Sequence, residues 1–483
     1  MKSGILTLLV TGILFIYGCS STETTTVRTA PVTFRPDVTQ PTQPSDTATI
    51  APFSLTIGEA EPVRSLDPLY ALNEATQRAI ALIYEGLTRL DADGNVQPAL
   101  AKSWTVSPDS ITYTFTINPL AFFHNDNAFT SGFGRPVTSE DIAFVFERMT
   151  LRTVPPYAAE KFRRHIKGFD AYLTQARNTF FSDELIFEGI TGITTPNDST
   201  VVFQLNRPYS GFLSLLSHPF ASIYPREAIG RRNFTLHNSP VGTGHFTMSK
   251  VSGDSLITLE RHFNHYNANL IESNLTSISI RIFRDESSLF RNMASGRIDL
   301  IPHAGPQTVQ TVITQDHELG ISYEEMLIAQ KRGFNDFYLY YFPENNLGIP
   351  QSEIRWIKHA LMNVESDGHI QKNVHFTTIQ EPSIEAIQEK QNVGYVPSVF
   401  IAHTARKLIS EAENKPDFQL YSIRIPNGDM VLYFTKNTPE AFNNAVVLAS
   451  FRFPHFSLMQ KSIDGITFNE HPWWLGLESV QRN

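Results

Sequence analysis

The single cysteine of this 483-residue chain, Cys19, is the feature that most limits how the chain can fold. Without a second cysteine no intramolecular disulfide can form, and zinc or iron–sulfur sites built on several cysteines are excluded. A hydrophobic core must therefore hold the folded part together. Because 483 residues are too many for one core, we expect about two or three domains.

The residues before Cys19 have the layout of an export signal. Lys2 supplies a positive charge, and residues 5–17 are almost wholly apolar. This run is shorter than the roughly 20 apolar residues of a membrane-spanning helix. It ends in the sequence Ile16-Tyr17-Gly18-Cys19. That ending resembles the lipobox of bacterial lipoproteins, although a short membrane anchor with an incidental cysteine is the alternative. We predict a signal peptide over residues 1–18 and lipidation of Cys19, which would anchor the chain to a membrane.

Residues 19–50 are rich in Thr, Pro and Ser and show no apolar periodicity. Such a composition cannot bury enough apolar surface to fold, and it is typical of a flexible linker. We therefore predict a lipid-anchored tether here, with the folded part beginning near residue 51.

Beyond the tether, strand and helix patterns alternate irregularly. Alternating patterns predict strands over 55–58, 113–117 and 276–283. Short apolar runs predict further strands over 201–205 and 298–301, and an aromatic run predicts one over 337–342. Helical spacing predicts helices over 73–87, 142–149 with Thr138 as N-cap, 286–296, 352–363 and 402–412. Residues 91–95 predict a hairpin turn rather than a calcium loop, because the later ligands are missing. The mixture predicts a mixed α/β protein.

Charge and motif content exclude several classes of function. The formal net charge is −9 and no run of Lys and Arg occurs, which argues against a nucleic-acid surface. No nucleophile elbow, zinc-protease motif or β-lactamase motif is present, so we predict no enzyme, no catalytic residue and no cofactor. The pair His262-x-x-His265 predicts two surface histidines rather than ligands, so no metal site is expected.

Seven short motifs occur in a fixed order between residues 65 and 299. They are S-L-D-P at 65–68, I-Y-E-G-L at 83–87, V-Q-P-A-L-A-K-S-W at 96–104, Y-T-F at 113–115 with F-H at 123–124, P-V-T-S-E-D-I at 136–142, P-V-G-T-G at 240–244 and S-G-R-I-D at 295–299. In this order they resemble bacterial extracellular solute-binding proteins of family 5, the peptide/nickel type that delivers ligands to ABC importers. Past residue 300 the resemblance thins, and the family usually carries a longer segment between residues 412 and 463.

The resemblance implies a periplasmic-binding-protein-like fold, type II and cluster C, with lobes around a ligand cleft. We expect a discontinuous lobe I over 51–87 and 195–305, and an inserted lobe II over 88–194. A shortened lobe III would cover 306–483, and its last residues could return to lobe I. A short third lobe would enclose a ligand less completely than is usual in the family.

The resemblance also implies candidate ligand-binding residues. Glu85, Gly86 and Leu87 match a stretch that lies at the cleft, where backbone groups could pair with a peptide main chain and Glu85 with an ammonium. The alternative is an exposed helix end. Gly242 and Gly244 are expected to serve a turn that needs positive φ.

For three further tyrosines the sequence leaves two locations open. Tyr338, Tyr340 and Tyr341 lie on a strand that in the family runs toward the hinge, and they could face the cleft or pack in the core.

The implied function is that of an extracytoplasmic substrate-binding lipoprotein of an ABC importer. We expect a monomer in the cell envelope, facing the periplasm or the cell exterior, with short peptides and permease subunits as partners. Its contact with the membrane would be through the N-terminal lipid. Two alternatives stay open: a receptor for a metal chelate, an oligosaccharide or a signalling peptide, and a scaffold without a transport role.

Overall fold

The computed structural model describes residues 51–178, 189–229, 236–314, 316–341, 371–374, 419–425, 428–435 and 446–483. These residues belong to one compact unit, residues 50–483. Among them, no helix is both long enough and apolar enough to cross a membrane. The predicted helices over 352–363 and 402–412 lie outside the described residues.

Within these residues, α-helices and strands alternate irregularly, as the sequence predicts. In chain order, α1 to α7 are Glu74–Ile83, Ser139–Thr150, Tyr157–Phe162, Phe169–Asn178, Phe212–Leu215, Glu286–Ala294 and Pro306–Val312. Strands β1 to β18 are Phe53–Glu59, Thr88–Leu90, Val96–Pro98, Ala101–Val106, Thr112–Ile117, Ile193–Asn197, Thr200–Gln204, Phe246–Ser252, Leu256–Arg261, Leu275–Ile282, Leu300–Ile301, Leu327–Tyr341, Gln371–Val374, Gln419–Ile425, Gly428–Thr435, Val446–Gln460, Ile463–Asp464 and Gln481–Arg482. Single 3₁₀ turns lie at Pro68–Tyr70, Pro219–Ala221, Arg226–Ala228, Ala268–Leu270 and Ile321–Tyr323.

The larger sheet has the order β14-β15-β12-β16-β11-β1-β10-β9-β8, and β13 pairs with β16. Strand β1 runs parallel to both of its neighbours, β10 and β11, although these follow it by more than two hundred residues. Ile57 pairs with Ile280 on one side and with Leu300 on the other. Because β1 is central, its apolar residues Leu55 and Ile57 are fully buried.

A second, four-stranded sheet has the order β4-β5-β7-β6 and is antiparallel throughout. Helix α2 packs on it, and the aromatic rings of Phe115, Phe146 and Phe203 meet in its core. Strand β6 spans residue 194, the predicted edge of the inserted lobe, and β7 continues the same sheet to Gln204. The division into lobes stays a prediction.

Capping residues next to two helices determine where those helices begin. Asn73 caps α1, because its side-chain oxygen accepts a hydrogen bond from N of Thr76 at 2.8 Å. Thr138 is the N-cap of α2, and its N–H donates to Oδ2 of Asp141 at 2.9 Å. The Thr138 prediction is therefore confirmed, as is the hairpin turn after Asp91, which joins β2 and β3.

Helix α1 ends four residues before the predicted end at Leu87. Its cap residue, Tyr84, has extended backbone angles, φ −121° and ψ 166°. The carbonyl of Ile83 accepts a hydrogen bond from N of Gly244 at 2.8 Å. Leu87 is buried although it lies beyond the helix, in an extended segment. The helical spacing of the apolar residues therefore predicted a helix that is too long.

Candidate functional site

A pocket of about 150 Å³ lies between α1, the segment that follows α1, and the C-terminal segment 473–478. Its wall combines polar and apolar side chains, with charged, hydroxyl and aromatic groups among them. Its lining includes Glu85, Arg89, Ser217, His245, Trp474 and Glu478. Concave sites with an apolar wall and a few polar groups are the usual form of small-ligand sites.

The predicted segment Glu85–Leu87 contributes to this wall through Glu85 and Gly86. Its backbone carbonyls accept hydrogen bonds from within the protein. The carbonyl of Glu85 accepts from N of Ile223 at 2.9 Å, and that of Leu87 accepts from N of Ala101 at 3.0 Å. These bonds fix the segment, and the Leu87 side chain is buried in the core.

Glycines allow backbone segments to approach each other closely around this site. A Cβ on Gly86 would lie 2.2 Å from the carbonyl oxygen of Leu216, and one on Gly242 would lie 2.1 Å from that of Ile83. Neither Gly242 nor Gly244 is among the residues with positive φ, so the prediction of a left-handed turn there was wrong. Gly242 and Gly244 are needed because a side chain at either position would collide with the backbone of Ile83, and not because of their backbone angles.

The Glu85 carboxylate is held by two side chains. Oη of Tyr266 donates to Oε1 at 2.8 Å, and Nε2 of His265 donates to Oε2 at 3.2 Å. Nδ1 of His265 accepts from N of Asn267 at 3.0 Å, which leaves the proton on Nε2. Burial alone would raise the pKa of Glu85, but the hydrogen bonds from His265 and Tyr266, with attraction to His265 and His245, hold it below its usual value. Glu85 is therefore an anion at neutral pH.

Four imidazoles gather beside this carboxylate. The His245 and His265 rings are stacked with centroids 3.8 Å apart, and His262 meets His124 edge-on at 5.0 Å. The residue His265 is buried and His262 is partly buried, so the prediction of two surface histidines was wrong. Burial lowers the pKa of His124 to about 4 and that of His245 to about 4.

The opposite wall of the pocket comes from the end of the described chain. Trp473 and Trp474 are both buried, and Nε1 of Trp474 donates to the carbonyl of Leu90 at 3.0 Å. Nη1 of Arg78 donates to the carbonyl of Pro472 at 2.6 Å. The C-terminal segment is thereby tied to α1 and to β2.

Sequence reasoning did not find this wall. Two adjacent tryptophans in a chain with only four are a visible signal, but the spacing does not say what they meet. His245 was likewise missed, because it follows the P-V-G-T-G motif and has no ligand spacing of its own.

The remaining predicted site residues lie elsewhere or outside the described structure. Tyr338, Tyr340 and Tyr341 lie on β12, whose backbone pairs with β15 on one side and β16 on the other. Their side chains and Cys19 lie outside what the structure describes. The predicted cleft role of the three tyrosines stays a prediction.

The described residues thus form an α/β scaffold with a parallel central strand, and a pocket with charged, hydroxyl and aromatic groups in its wall. Residues 95–346 match the model of bacterial extracellular solute-binding proteins, family 5, middle part. The chain belongs to this family, whose members bind solutes for transport and are not enzymes.

Several curated relatives carry peptide-binding names. The dipeptide-binding protein DppE of Bacillus subtilis is 28% identical over 245 residues, which cover 50% of this chain and 41% of that protein. Di/tripeptide-binding protein 1 of Pseudomonas aeruginosa is 26% identical over 269 residues, 54% of this chain and 45% of that protein. The matches thus span less than half the length of these relatives.

Solved structures extend the likeness in fold to most of the chain. The periplasmic binding protein DppA of Helicobacter pylori, in complex with the peptide STSA, superposes with a TM-score of 0.62 at 16% identity. That match covers 89% of this chain and 98% of the other. The substrate-binding domain of an oligopeptide ABC transporter from Bacillus anthracis gives a TM-score of 0.61 at 14% identity. The periplasmic-binding-protein fold implied by the motifs is confirmed.

Proposed function

We propose that this protein is the extracytoplasmic substrate-binding component of an ABC importer and that it captures short peptides. The observation that carries the proposal is the membership of family 5 together with an anionic Glu85 in the wall of a mixed pocket. The peptide-binding names of the relatives support the choice of ligand.

Glu85 is suited to recognise a free amino terminus. Its side chain is 12% exposed, so it is desolvated but reachable from the pocket. A carboxylate offers about four acceptor positions, and Tyr266 and His265 occupy two of them. A peptide ammonium could therefore bind without displacing either partner, as a charge-assisted hydrogen bond.

Calorimetry against a mixed library of di- to pentapeptides tests this function. We expect heat of binding from at least one peptide class, and Glu85→Gln should weaken that binding about ten- to a hundredfold. The reason is that a hydrogen bond to a charged group contributes about 1.5–3 kcal/mol. Gln keeps the shape of the side chain and one acceptor oxygen, which can serve Tyr266 or His265 but not both, so the change removes the charge and one internal hydrogen bond.

Glu160→Gln is the matched control, because Glu160 is an exposed carboxylate paired with Arg163 and is not among the residues that line the pocket. Peptide affinity should be unchanged in this variant. If the folded wild-type protein binds none of the peptides, the proposal is wrong and a scaffold without a transport role is favoured. Equal affinity in the wild type and Glu85→Gln would instead place the ligand's amino terminus elsewhere.

We also propose that Cys19 carries a lipid and begins the mature chain. The support is the lipobox-like sequence at 16–19 and the lack of any other cysteine. Cells fed a palmitate analogue should label the wild-type protein, and Cys19→Ala should lose both the label and the membrane association. Label retained in Cys19→Ala would disprove lipidation at this residue.

A further inference from the structure

Three side chains from distant parts of the chain converge on one point. Glu74 lies in the first turn of α1, His303 follows β11, and His455 lies on β16. One oxygen of Glu74 and one ring nitrogen of each histidine lie within 4.8 Å of one another. Nδ1 of His303 is 3.0 Å from Oε2 of Glu74, and the two imidazole centroids are 4.1 Å apart.

The backbone next to both imidazoles is fixed. N of Ala304 donates to the carbonyl of Phe456 at 2.8 Å, and Oγ of Ser457 donates to the carbonyl of Pro302 at 2.6 Å. The side chain of Glu74 is 16% exposed and that of His303 is 11% exposed. The cluster is therefore held in place, and only a small exposed fraction of Glu74 and His303 remains accessible to water.

The spacing fits a tetrahedral metal ion. Zinc bonds of about 2.0–2.2 Å to nitrogen and oxygen place neighbouring ligand atoms roughly 3.3 Å apart. Here Nδ1 of His303 and Oε2 of Glu74 are 3.0 Å apart, and the three candidate ligand atoms all lie within 4.8 Å of one another. Side-chain movements of about an ångström would bring them to the spacing of a zinc site. Two imidazoles and one carboxylate suit zinc or nickel better than magnesium or calcium.

We propose that Glu74, His303 and His455 form a binding site for a transition-metal dication, with a fourth position open to water. The proposal does not depend on peptide binding. An ion here would join α1 to β16 and to the segment after β11. It would stabilise the folded state, because anything that binds only the folded chain shifts the unfolding equilibrium.

Nearby positive charges set the strength of this site. Nη1 of Arg78 lies 3.7 Å from Oε2 of Glu74, but its Nε and Nη2 each donate to Glu59 at 2.8 Å. Glu59 is thus the main partner of Arg78. The guanidinium of Arg332, which is attracted to Glu74, also opposes a cation here, as does the helix N-terminus. We therefore expect moderate rather than very tight affinity.

Titration of the full-length, untagged protein with ZnCl₂ after treatment with a chelator tests the site. Calorimetry should show Zn²⁺ binding that His303→Asn and His455→Asn each weaken at least about tenfold, a loss of about 1.4 kcal/mol. The unfolding temperature of the wild type should rise with Zn²⁺ and not with Mg²⁺. His262→Asn, in the other imidazole cluster, is the matched control and should bind like the wild type.

Unfolding curves without metal show whether each variant folds, and Glu74→Gln provides a third variant if a histidine variant does not. The proposal is overturned if the wild type binds no Zn²⁺, or if the three variants bind it as tightly as the wild type. Loss of binding in His262→Asn alone would place the ion at the His124–His265 cluster, and would also overturn it.

Discussion

Replacing Asp67 by Asn is expected to lower the free energy of unfolding by about 3–5 kcal/mol. Oδ1 of Asp67 accepts from Nη1 of Arg148 at 2.9 Å, and Oδ2 accepts from Nη2 at 2.5 Å. The Asp67 side chain is 1% exposed and that of Arg148 is 10% exposed. Asn keeps the size of the side chain but leaves the guanidinium without an opposite charge in a buried place, which accounts for the large cost.

The pair also joins separate parts of the fold. Asp67 precedes the 3₁₀ turn between β1 and α1, and its carboxylate also accepts from N of Leu69 at 3.1 Å. Arg148 lies on α2, beside the four-stranded sheet, and donates to Oη of Tyr224 at 2.9 Å. Loss of the charge should therefore loosen both this turn and its contact with α2.

Denaturant unfolding of Asp67→Asn beside the wild type measures the effect. Asp170→Asn is the matched control: its carboxylate meets Arg163 at the surface with 60% of the side chain exposed, so less than about 1 kcal/mol is expected. Adding Arg148→Met to Asp67→Asn should recover part of the loss by removing the unpaired charge. Equal small effects in Asp67→Asn and Asp170→Asn would show that the buried pair is dispensable.

How far the sequence predicts this fold depends on how local each signal is. The cap at Thr138 and the hairpin after Asp91 follow from neighbouring residues, and both are confirmed. The S-L-D-P motif drew attention to Asp67, but its partner Arg148 lies 81 residues away. Nothing in the spacing of either residue predicts that they meet, because the pairing depends on the packing of α2.

Glycines show the same limit. A glycine motif such as P-V-G-T-G predicts a turn with positive φ, yet Gly242 and Gly244 are required by the close approach of Ile83. Space between segments about 160 residues apart is a property of the tertiary structure. The end of α1 was misplaced for a related reason, since the carbonyl of Ile83 pairs with Gly244 rather than continuing the helix.

The candidate site was predicted in part. Glu85 and Gly86 were expected at a cleft and do line the pocket, while Leu87 packs into the core. Polar residues that meet only in three dimensions gave no signal, as the imidazoles around Glu85 illustrate. A histidine pair without a recognised ligand spacing is usually a surface feature, and here the burial of His265 follows from its contact with Glu85.

These buried imidazoles predict that the protein loses stability in mild acid. Burial lowers the pKa of His124 and of His245 from 6.5 to about 4, and that of His218 from 6.5 to about 3. In the unfolded chain the same groups titrate near their ordinary value, so between these pH values the unfolded state binds more protons. Stability is therefore full above about pH 6.5 and falls as the pH is lowered toward 4, by roughly 2 kcal/mol for each such histidine by pH 5.

Unfolding free energies measured between pH 7 and pH 5 test this effect, since most carboxyl groups titrate below that range. The slope reports the difference in bound protons, so His124→Gln and His218→Gln should each reduce it by about one proton. Gln at 124 can still donate to the carbonyl of Gly244, the bond that His124 Nε2 makes at 2.8 Å. Any uniform loss of stability in a variant leaves the slope unchanged, which separates the protonation effect from damage to packing. A slope that is the same in the wild type and both variants would mean that these imidazoles take up protons in the folded state, and that their burial does not limit stability in acid.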